Sequence, residues 1–320
     1  MREFQPLVRN PHLLTIAGHF WPRSLDTVRF PVSSQLFETE PGVKVLVKTQ
    51  RPPAHHRGRM VLVHGLESSA DAGYMLSMAQ AGLEAGYTVH RFQLRGCGDD
   101  QRLSSTMYHG GLTVDLLCFL RSLGEPAFLV GYSLGGNLAL KLAGELGTGA
   151  AGLIAGVCAI STPIDLAACG RRLAERANWI YERRFVRKLA RKLAASGLVP
   201  NADLSRRRSL WEFDDEFTAR LWGFGTAGNY YATQSSNRFL GRISVPALLV
   251  QAKDDPIIPF EVFHHPALSA NPNLELVAPD HGGHLGFISR QPPWFWNDEV
   301  VLDWVRQREQ KALYTRHSLR

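Results

Sequence analysis

Short apolar segments rich in Val, Leu and Ile recur along the chain, separated by longer segments with helical spacing. The strand-like segments are 43–47, 60–63, 87–92, 127–130, 153–160, 247–250 and 274–277, and the helix-like segments are 74–85, 111–123 and 137–146. Alternating strands and helices are typical of a mostly parallel sheet with helices on both faces. The first 50 residues lack this alternation, so we expect them to supply antiparallel strands at one sheet edge. The pattern predicts an α/β fold.

One region interrupts the alternation and contains no strand-like run. It spans about residues 164–240, with a basic amphipathic segment from Arg171 to Ala195 and an aromatic segment from Trp211 to Tyr231. We therefore predict one domain over residues 1–320, with a helical cap inserted at 164–240. Such an insertion usually shapes a substrate pocket, and helices that pack away from the site are the alternative.

The composition is that of an ordinary globular protein. Hydrophobic residues make up 45% and charged residues 20% of the 320 positions. No stretch approaches the roughly 18 apolar residues of a membrane-spanning helix, and the N-terminus lacks the apolar core of a signal peptide. The four cysteines form no Cys-x-x-Cys pair, which favours a reducing compartment over a disulfide framework. We predict a soluble, cytoplasmic protein.

The net charge of +7 is concentrated in one predicted helical segment. Its basic residues are Arg171, Arg172, Arg176, Arg183, Arg184, Arg187, Lys188, Arg191 and Lys192. A local cluster of this kind is more often a solvated helix face than a nucleic-acid site, so we predict no nucleic-acid partner. Peripheral contact of this basic cap helix with an anionic membrane is the alternative.

The clearest chemical motif follows the strand-like segment 127–130. Gly131-Tyr132-Ser133-Leu134-Gly135 has the pattern Gly-x-Ser-x-Gly, and a helix-forming stretch follows at once. Between a strand and a helix, this pattern predicts a tight turn that presents the serine hydroxyl to substrate. A glycine-rich turn with an incidental serine is the less favoured interpretation. We predict Ser133 as a nucleophile.

A serine nucleophile needs a base that a carboxylate orients, and on an open α/β sheet the acid precedes the histidine in the chain. The segment 247–250 leads into Asp254-Asp255-Pro256, at the strand end where ligand-facing residues gather. We favour Asp255, directly before the proline, over Asp254, which we expect to hydrogen-bond the turn backbone. Asp165, after the segment 153–160, is a more distant candidate.

The candidate base lies in the loop after the segment 274–277. This loop reads His281-Gly282-Gly283-His284. We favour His284 over His281, because it follows the paired glycines and precedes what the pattern predicts to be an apolar helix start.

Acyl chemistry also needs two N–H groups that stabilise the developing oxyanion. We predict one from Leu134, directly after the nucleophile, and one from Leu66 in the turn after segment 60–63. Gly65 should let this peptide turn toward the site. His64, before it, is better explained as a brace for the loop than as a second base.

Aromatic side chains suggest an apolar pocket under the cap. The candidates are Tyr132, Trp211, Phe213, Trp222, Phe224, Tyr230 and Tyr231. Packing of the cap's own core explains the cap aromatics equally well.

Together these motifs resemble the α/β-hydrolase superfamily, and finer features resemble its YheT-type branch of predicted esterases and lipases. The finer features are Arg9-Asn10-Pro11-His12-Leu13, Arg95-Gly96-Cys97, Phe213-Asp214-Asp215, Tyr230-Tyr231, Val245-Pro246 and Gly286-Phe287. The resemblance implies the α/β-hydrolase fold, and it places the family's catalytic triad on Ser133, Asp255 and His284.

We therefore expect a serine hydrolase that cleaves short- to medium-chain carboxylic esters through an acyl-enzyme. An acyltransferase or phospholipase would use the same triad, and a non-catalytic binder is a further alternative. No cofactor or metal is predicted, because neither a phosphate-binding glycine motif nor metal-ligand spacing is present. The expected partner is a small ester or a lipid.

Overall fold

One sheet forms the centre of the protein. The computed structural model describes residues 2–53, 56–98, 103–104, 106–206 and 208–318. Its sheet has the strand order β1-β2-β4-β3-β5-β6-β7-β8. The strands are β1 (Ser33–Glu40), β2 (Val43–Gln50), β3 (Arg59–Val63), β4 (Thr88–Phe92), β5 (Ala127–Tyr132), β6 (Ile154–Ile160), β7 (Ala247–Val250) and β8 (Leu274–Val277).

The two edges of the sheet differ in direction. Strand β1 pairs with β2 and β2 pairs with β4 in the antiparallel sense, whereas all pairs from β4 through β8 are parallel. The sequence-based expectation of a mostly parallel sheet with antiparallel strands from the first 50 residues is confirmed.

Helices cover both faces of this sheet. They are α1 (Pro11–Phe20), α2 (Gly73–Glu84), α3 (Val114–Ser122), α4 (Leu134–Leu146), α5 (Leu166–Leu173), α6 (Trp179–Ser196), α7 (Leu210–Phe213), α8 (Ala219–Leu221), α9 (Ala227–Gln234), α10 (Pro266–Ala270) and α11 (Trp296–Ser318). The helices α1 and α11 were not among the sequence-based predictions.

Alternate residues of the central strands enter different cores, because successive side chains of a strand point to opposite faces. Leu129 of β5 belongs to the core shared with α3, α4 and the 164–240 region. Its neighbour Val130 belongs to the core shared with α2 and α11. Both faces of β5 are buried, which explains why its sequence is continuously apolar rather than alternating.

The prediction of one continuous basic helix from Arg171 to Ala195 is wrong, because the structure divides this segment between two helices. Helix α5 ends at Leu173, a 3₁₀ turn follows at Arg176–Asn178, and α6 begins at Trp179. The buried Asn178 side chain donates Nδ2 hydrogen bonds to the carbonyls of Arg172 (2.8 Å) and Pro256 (2.7 Å), which fixes this break. Within residues 164–240, position 207 aside, the structure contains no strand.

Candidate active site

Ser133 occupies the turn between β5 and α4. Its backbone has φ 51° and ψ −121°, a conformation that residues other than glycine rarely adopt. The glycines on either side are required by close packing, since a Cβ on Gly131 would lie 2.4 Å from the Gly135 carbonyl oxygen. A Cβ on Gly135 would lie 2.3 Å from the Val63 carbonyl oxygen. Strain of about 1–3 kcal/mol is thus held in place by the elements around it.

Three side chains from distant parts of the chain lie in one line at this turn. Ser133 Oγ is 3.1 Å from His284 Nε2, and His284 Nδ1 is 2.9 Å from Asp255 Oδ2. Because the carboxylate only accepts, Nδ1 carries the proton of that bond and Nε2 is left free to accept from the serine hydroxyl. His284 is 9% exposed and Asp255 is 3% exposed.

The Asp255 carboxylate is held by three further donors. Its Oδ1 accepts from the N–H groups of Ile257 (2.8 Å) and Ile258 (3.0 Å), and its Oδ2 accepts from Gln251 Nε2 (3.1 Å). All of them lie in the turn after β7. A buried carboxylate with this many donors keeps one orientation toward the imidazole.

The competing acids have other partners. Asp254 Oδ1 accepts from the Gly283 N–H (2.9 Å), and its Oδ2 lies 3.1 Å from His281 Nδ1. Asp165 accepts from the Ala168 N–H at the start of α5. Asp254 and His281 therefore brace the loop that carries His284, while Asp165 caps a helix.

Helix α1 holds the loop of His284 from the other side. Thr15 Oγ1 accepts from the His284 N–H (2.9 Å) and donates to the Pro11 carbonyl (2.7 Å). A Cβ on Gly283 would lie 2.4 Å from that same carbonyl oxygen, so only glycine allows this approach. Sequence reasoning did not identify Thr15, although Asn10 and Pro11 are the capping signals of a helix start.

The backbone after His284 differs from the sequence-based expectation. An apolar helix start was expected there, but Leu285 has φ 58°. Between His284 and the start of α11 at Trp296, the structure contains no helix. The Leu285 N–H donates instead to Ser161 Oγ, at 3.1 Å. This contact fixes the left-handed turn that aims the imidazole at Ser133.

The turn after β3 lies directly beside the nucleophile. Leu66 and Leu134 line the same cavity as Ser133 and His284. Neither the Leu66 nor the Leu134 N–H is paired with an acceptor of the described residues. Two unpaired N–H groups beside a serine hydroxyl are the arrangement that an oxyanion requires.

The backbone of that turn is left-handed at the residue after Leu66. The positive φ lies at Glu67 (50°) rather than at Gly65. Gly65 is needed for close approach, because a Cβ there would lie 3.0 Å from the Ser133 Cβ. His64 braces the turn: its Nε2 accepts from the Leu94 N–H, its Nδ1 donates to the Gly65 carbonyl, and burial lowers its pKa to about 4.

Glu67 connects this turn to helix α6. Its Oε1 accepts from Lys192 Nζ (2.6 Å) and from the Tyr108 hydroxyl (3.0 Å), and its carbonyl accepts from Lys188 Nζ (2.8 Å). Lys192 Nζ also lies 3.0 Å from Cys97 Sγ. Burial raises the pKa of this Cys97 thiol to about 11, so the sulfur stays protonated near neutral pH.

A largely apolar cavity extends from Ser133 beneath helices of the 164–240 region. Its lining comes from the turns that carry Leu66, Ser133, Asp255 and His284, from the loops before α3 and after β6, and from α5, α6 and the segment 210–231. It consists of Leu66, Tyr108, Gly110, Ser133, Leu134, Pro163, Leu166, Cys169, Gly170, Leu173, Phe185, Leu189, Leu210, Asp214, Thr218, Tyr231, Ile257, Ile258 and His284. The carboxyl of Asp214 accepts from the hydroxyls of Thr218 and Tyr231, both at 2.6 Å. Burial raises the pKa of Asp214 to about 6.

Of the aromatic residues expected to form the pocket, only Tyr231 lines this cavity, and Tyr132, Trp211, Phe213, Trp222, Phe224 and Tyr230 do not. Tyr132 is fully buried in the core on the α2 side, 4.7 Å from the ring of Tyr74, because it points to the sheet face opposite the 164–240 region. Trp211 packs against Tyr231 at 4.9 Å, and Tyr231 borders the cavity together with Tyr108 and Phe185.

Three of the other aromatics pack the 164–240 region onto the loop before α3. Trp222 and Phe224 contact the His109 ring at 4.7 and 5.2 Å. The Tyr230 hydroxyl accepts from the Gly110 N–H at 2.7 Å, and the Tyr230 ring stacks on Phe224 at 5.3 Å. These side chains therefore hold the region against the rest of the protein rather than lining the cavity.

The described residues were also compared with the requirements of a metal site and of a membrane-spanning helix. Across the described part of the chain, no cluster of three or more His, Cys, Asp or Glu side chains could hold a metal ion. Nor is any of the described helices both long and apolar enough to cross a bilayer.

The comparisons with known proteins agree with this fold. A model of the alpha/beta hydrolase family matches residues 60–296, well over half of the chain. The chain belongs to this family.

Individual relatives narrow the class. The chain is 33% identical to the Escherichia coli (strain K12) protein named "Putative esterase YheT", over 95% of this chain and 93% of that protein, which places it in the YheT-type branch. It is 28% identical to the Mus musculus protein named "Phospholipase ABHD3", over 73% of this chain and 59% of that one. The solved Pyrococcus furiosus esterase Pf2001 shares the fold, with a TM-score of 0.59 at 20% identity, over 87% of this chain and 96% of that chain.

Proposed function

We propose that the protein is a serine-dependent carboxylic ester hydrolase. The observation that carries this proposal is the unbroken line of contacts from Ser133 Oγ through His284 to Asp255. The esterase and phospholipase names of the relatives point to the same class of reaction.

In the proposed reaction, Ser133 Oγ attacks the ester carbonyl carbon while His284 Nε2 takes the hydroxyl proton. The resulting imidazolium is stabilised by Asp255 and then gives its proton to the leaving alcohol. Water attacks the acyl-enzyme with His284 as base, which releases the acid and restores the serine. The protons of the serine hydroxyl and of the attacking water are thus both taken up by His284 Nε2, which lies beside Ser133.

The tetrahedral intermediates need donors for their negative oxygen. We assign this role to the Leu66 and Leu134 N–H groups, because both flank Ser133 and neither has a partner among the described residues. Loss of one such donor typically costs about 3 kcal/mol of transition-state stabilisation.

We assign the cavity to the acyl chain of the substrate, and we regard residues 164–240 as its cap. Leu166, Leu173 and Leu189 give it apolar walls, which favour an alkyl chain over a charged group. This supports short- to medium-chain esters as substrates.

A fluorophosphonate probe and p-nitrophenyl esters of increasing chain length test the proposal together. The wild-type protein should be labelled stoichiometrically at Ser133 and should hydrolyse the butyrate ester. Ser133→Ala should lose both properties and keep the wild-type circular dichroism spectrum. Ser122→Ala, on the solvent side of α3, is the matched control and should keep both.

Two results would contradict the assignment. Hydrolysis by Ser133→Ala at the wild-type rate would exclude Ser133 as the nucleophile. Ester exchange without hydrolysis, measured with an added alcohol, would identify an acyltransferase that uses the same acyl-enzyme.

A further inference from the structure

Helix α1 exposes an apolar face at the surface, while its two histidines, His12 and His19, lie on the side next to α6. Leu14, Thr15 and Gly18 face the protein. Leu13, Ile16 and Phe20 are 55%, 46% and 70% exposed, at helical spacings of three and four residues. The outward face of a surface helix is normally polar, so large apolar side chains exposed there are expected to meet a partner or a lipid phase. The outer face of α1 is therefore an apolar stripe without a partner among the described residues.

The start of α6 extends this stripe. Trp179 and Ile180 are 56% and 58% exposed. The two helices are joined side by side, since the rings of His12 and Tyr181 stack at 5.8 Å and Arg184 donates to His19 Nε2 at 2.7 Å. Large exposed side chains concentrated on two adjoining helices are unlike the scattered apolar residues of an ordinary surface.

Positive charge follows directly on the same helix. Arg183, Arg184, Arg187 and Arg191 are all exposed, and no carboxylate of the described residues forms an ion pair with any of them. The acid of α6, Glu182, accepts from the Leu210 N–H. Helix α1 contains no acidic residue.

A groove between α6 and residues 204–206 and 208 continues the basic side. Its charged lining consists of five arginines and one acid, namely Arg183, Arg187, Arg191, Arg206, Arg208 and Glu182, and Trp179 lies beside them. The cations also affect one another on the α1 side, because burial and then the neighbouring Arg184 lower the pKa of both His19 and Lys188. An anionic partner would relieve this crowding.

The inner sides of the same two helices face the candidate active site. Thr15 of α1 accepts from the His284 N–H, and Phe185 and Leu189 of α6 line the cavity beside Ser133. A partner on the outer sides would therefore lie one helix thickness away from the acyl cavity.

We propose that this α1–α6 surface, formed by Leu13, Ile16, Phe20, Trp179, Ile180, Arg183, Arg184, Arg187 and Arg191, docks onto bilayers of anionic phospholipids. Apolar and indole side chains next to arginines are the combination that enters a headgroup region, where the chains reach the acyl boundary and the guanidinium groups meet phosphates. A nucleic acid would leave the apolar stripe unused. The proposal concerns binding and does not depend on the proposed hydrolysis.

Flotation with vesicles tests it, using phosphatidylcholine alone and phosphatidylcholine mixed with phosphatidylglycerol. The protein should float with the mixed vesicles at low salt and much less with phosphatidylcholine alone. Arg183→Gln combined with Arg187→Gln should weaken binding about 30-fold, since each arginine near an anionic surface contributes about 1 kcal/mol. Phe20→Ser should weaken it about ten-fold through lost apolar burial.

Matched controls lie elsewhere on the surface. Val28→Ser removes a side chain that is 92% exposed, and Arg121→Gln combined with Arg242→Gln removes two exposed charges outside α1 and α6. Both controls should float like the wild-type protein, and so should Ser133→Ala, which separates docking from catalysis. All surface variants should hydrolyse soluble p-nitrophenyl butyrate as the wild-type protein does.

Three results would overturn the proposal. They are absence of flotation with the mixed vesicles at low salt, equal flotation of Phe20→Ser and Val28→Ser, or a dimer in light scattering that Phe20→Ser dissociates. The last result would assign the surface to a second copy of this chain.

Discussion

Lys192 Nζ lies 2.6 Å from Glu67 Oε1, with the two side chains only 6% and 5% exposed. This buried ion pair joins α6 to the residue that follows Leu66. The backbone of Glu67 is left-handed, so the pair also helps to hold a strained turn against Ser133. Helix α6 thus supports the proposed oxyanion donor as well as covering the cavity.

Lys192→Met should destabilise the protein by about 3–5 kcal/mol, because Glu67 would remain buried without its counter-charge. Urea unfolding measures this loss, and kcat should fall more than KM changes, because the Leu66 N–H is displaced. Glu67→Gln combined with Lys192→Met should recover a large part of the stability. If the two single substitutions were additive in that double variant, the pair would not be coupled.

Asp255→Asn should lower kcat for ester hydrolysis about 10⁴-fold, because the amide no longer holds the imidazole in the tautomer that accepts from Ser133. Asp254→Asn is the matched control and should cost less than about ten-fold, since its amide oxygen can still accept from the Gly283 N–H. Steady-state kinetics on both variants decide between the neighbouring acids. A larger loss in Asp254→Asn would reverse their roles.

Gly170→Ala should shorten the acyl chain that the enzyme accepts. Gly170 lines the cavity, and a Cβ there would lie 3.6 Å from Trp211 and Tyr231, an ordinary contact distance. The substitution lies within α5, so it should also raise the free energy of unfolding by about 0.5–1 kcal/mol.

Gly228→Ala in α9 controls for the effect of helix propensity. This glycine is exposed, and its Cβ would approach only Thr226 Oγ1 within 4 Å. It should raise stability without changing the ratio of kcat/KM between butyrate and octanoate esters. An unchanged ratio in Gly170→Ala as well would mean that the acyl chain does not occupy the cavity.

Asp214 should make stability depend on pH. Burial raises the pKa of its carboxyl from 3.8 to about 6 in the folded protein. Between these two values the unfolded chain has released this proton while the folded protein retains it. The free energy of unfolding should therefore fall as pH rises from about 4 to about 6, by up to about 3 kcal/mol.

Asp214→Asn should remove this contribution. Relative to the wild-type protein, the variant should gain stability between pH 4 and pH 6, as measured by urea unfolding at each pH. Asp298, whose pKa burial also raises to about 6, is common to both proteins and cancels in the difference. A difference that stays constant with pH would show that Asp214 does not titrate in this range.

The centre of the sheet could be predicted from the sequence because β3, β5, β6 and β7 are buried on both faces and read as continuous apolar runs. The candidate catalytic residues could be located because each follows a strand at the same sheet edge, so that Ser133, Asp255 and His284 were expected to meet. Helix α1 was not recognised in this way, because its exposed positions Leu13, Ile16 and Phe20 are apolar, so the pattern does not separate a buried face from a solvent face.

Residues 164–240, which we propose to be the cap, were the least predictable part. The break between α5 and α6 depends on Asn178, whose side chain bonds to Pro256, a residue 78 positions later. The aromatic residues were expected at the pocket from their composition alone. Which ring borders the cavity depends on how short helices pack, and Tyr231 rather than Tyr230 faces it.

The bond between Thr15 and the His284 N–H joins residues that are 269 positions apart. The ribosome must therefore synthesise His284 before Thr15 can hold the backbone of its loop. Under the proposed mechanism, a nascent chain that has already formed the Ser133 turn has no base to activate the hydroxyl. The proposed esterase activity would then be confined to chains that have been synthesised as far as His284 and have folded.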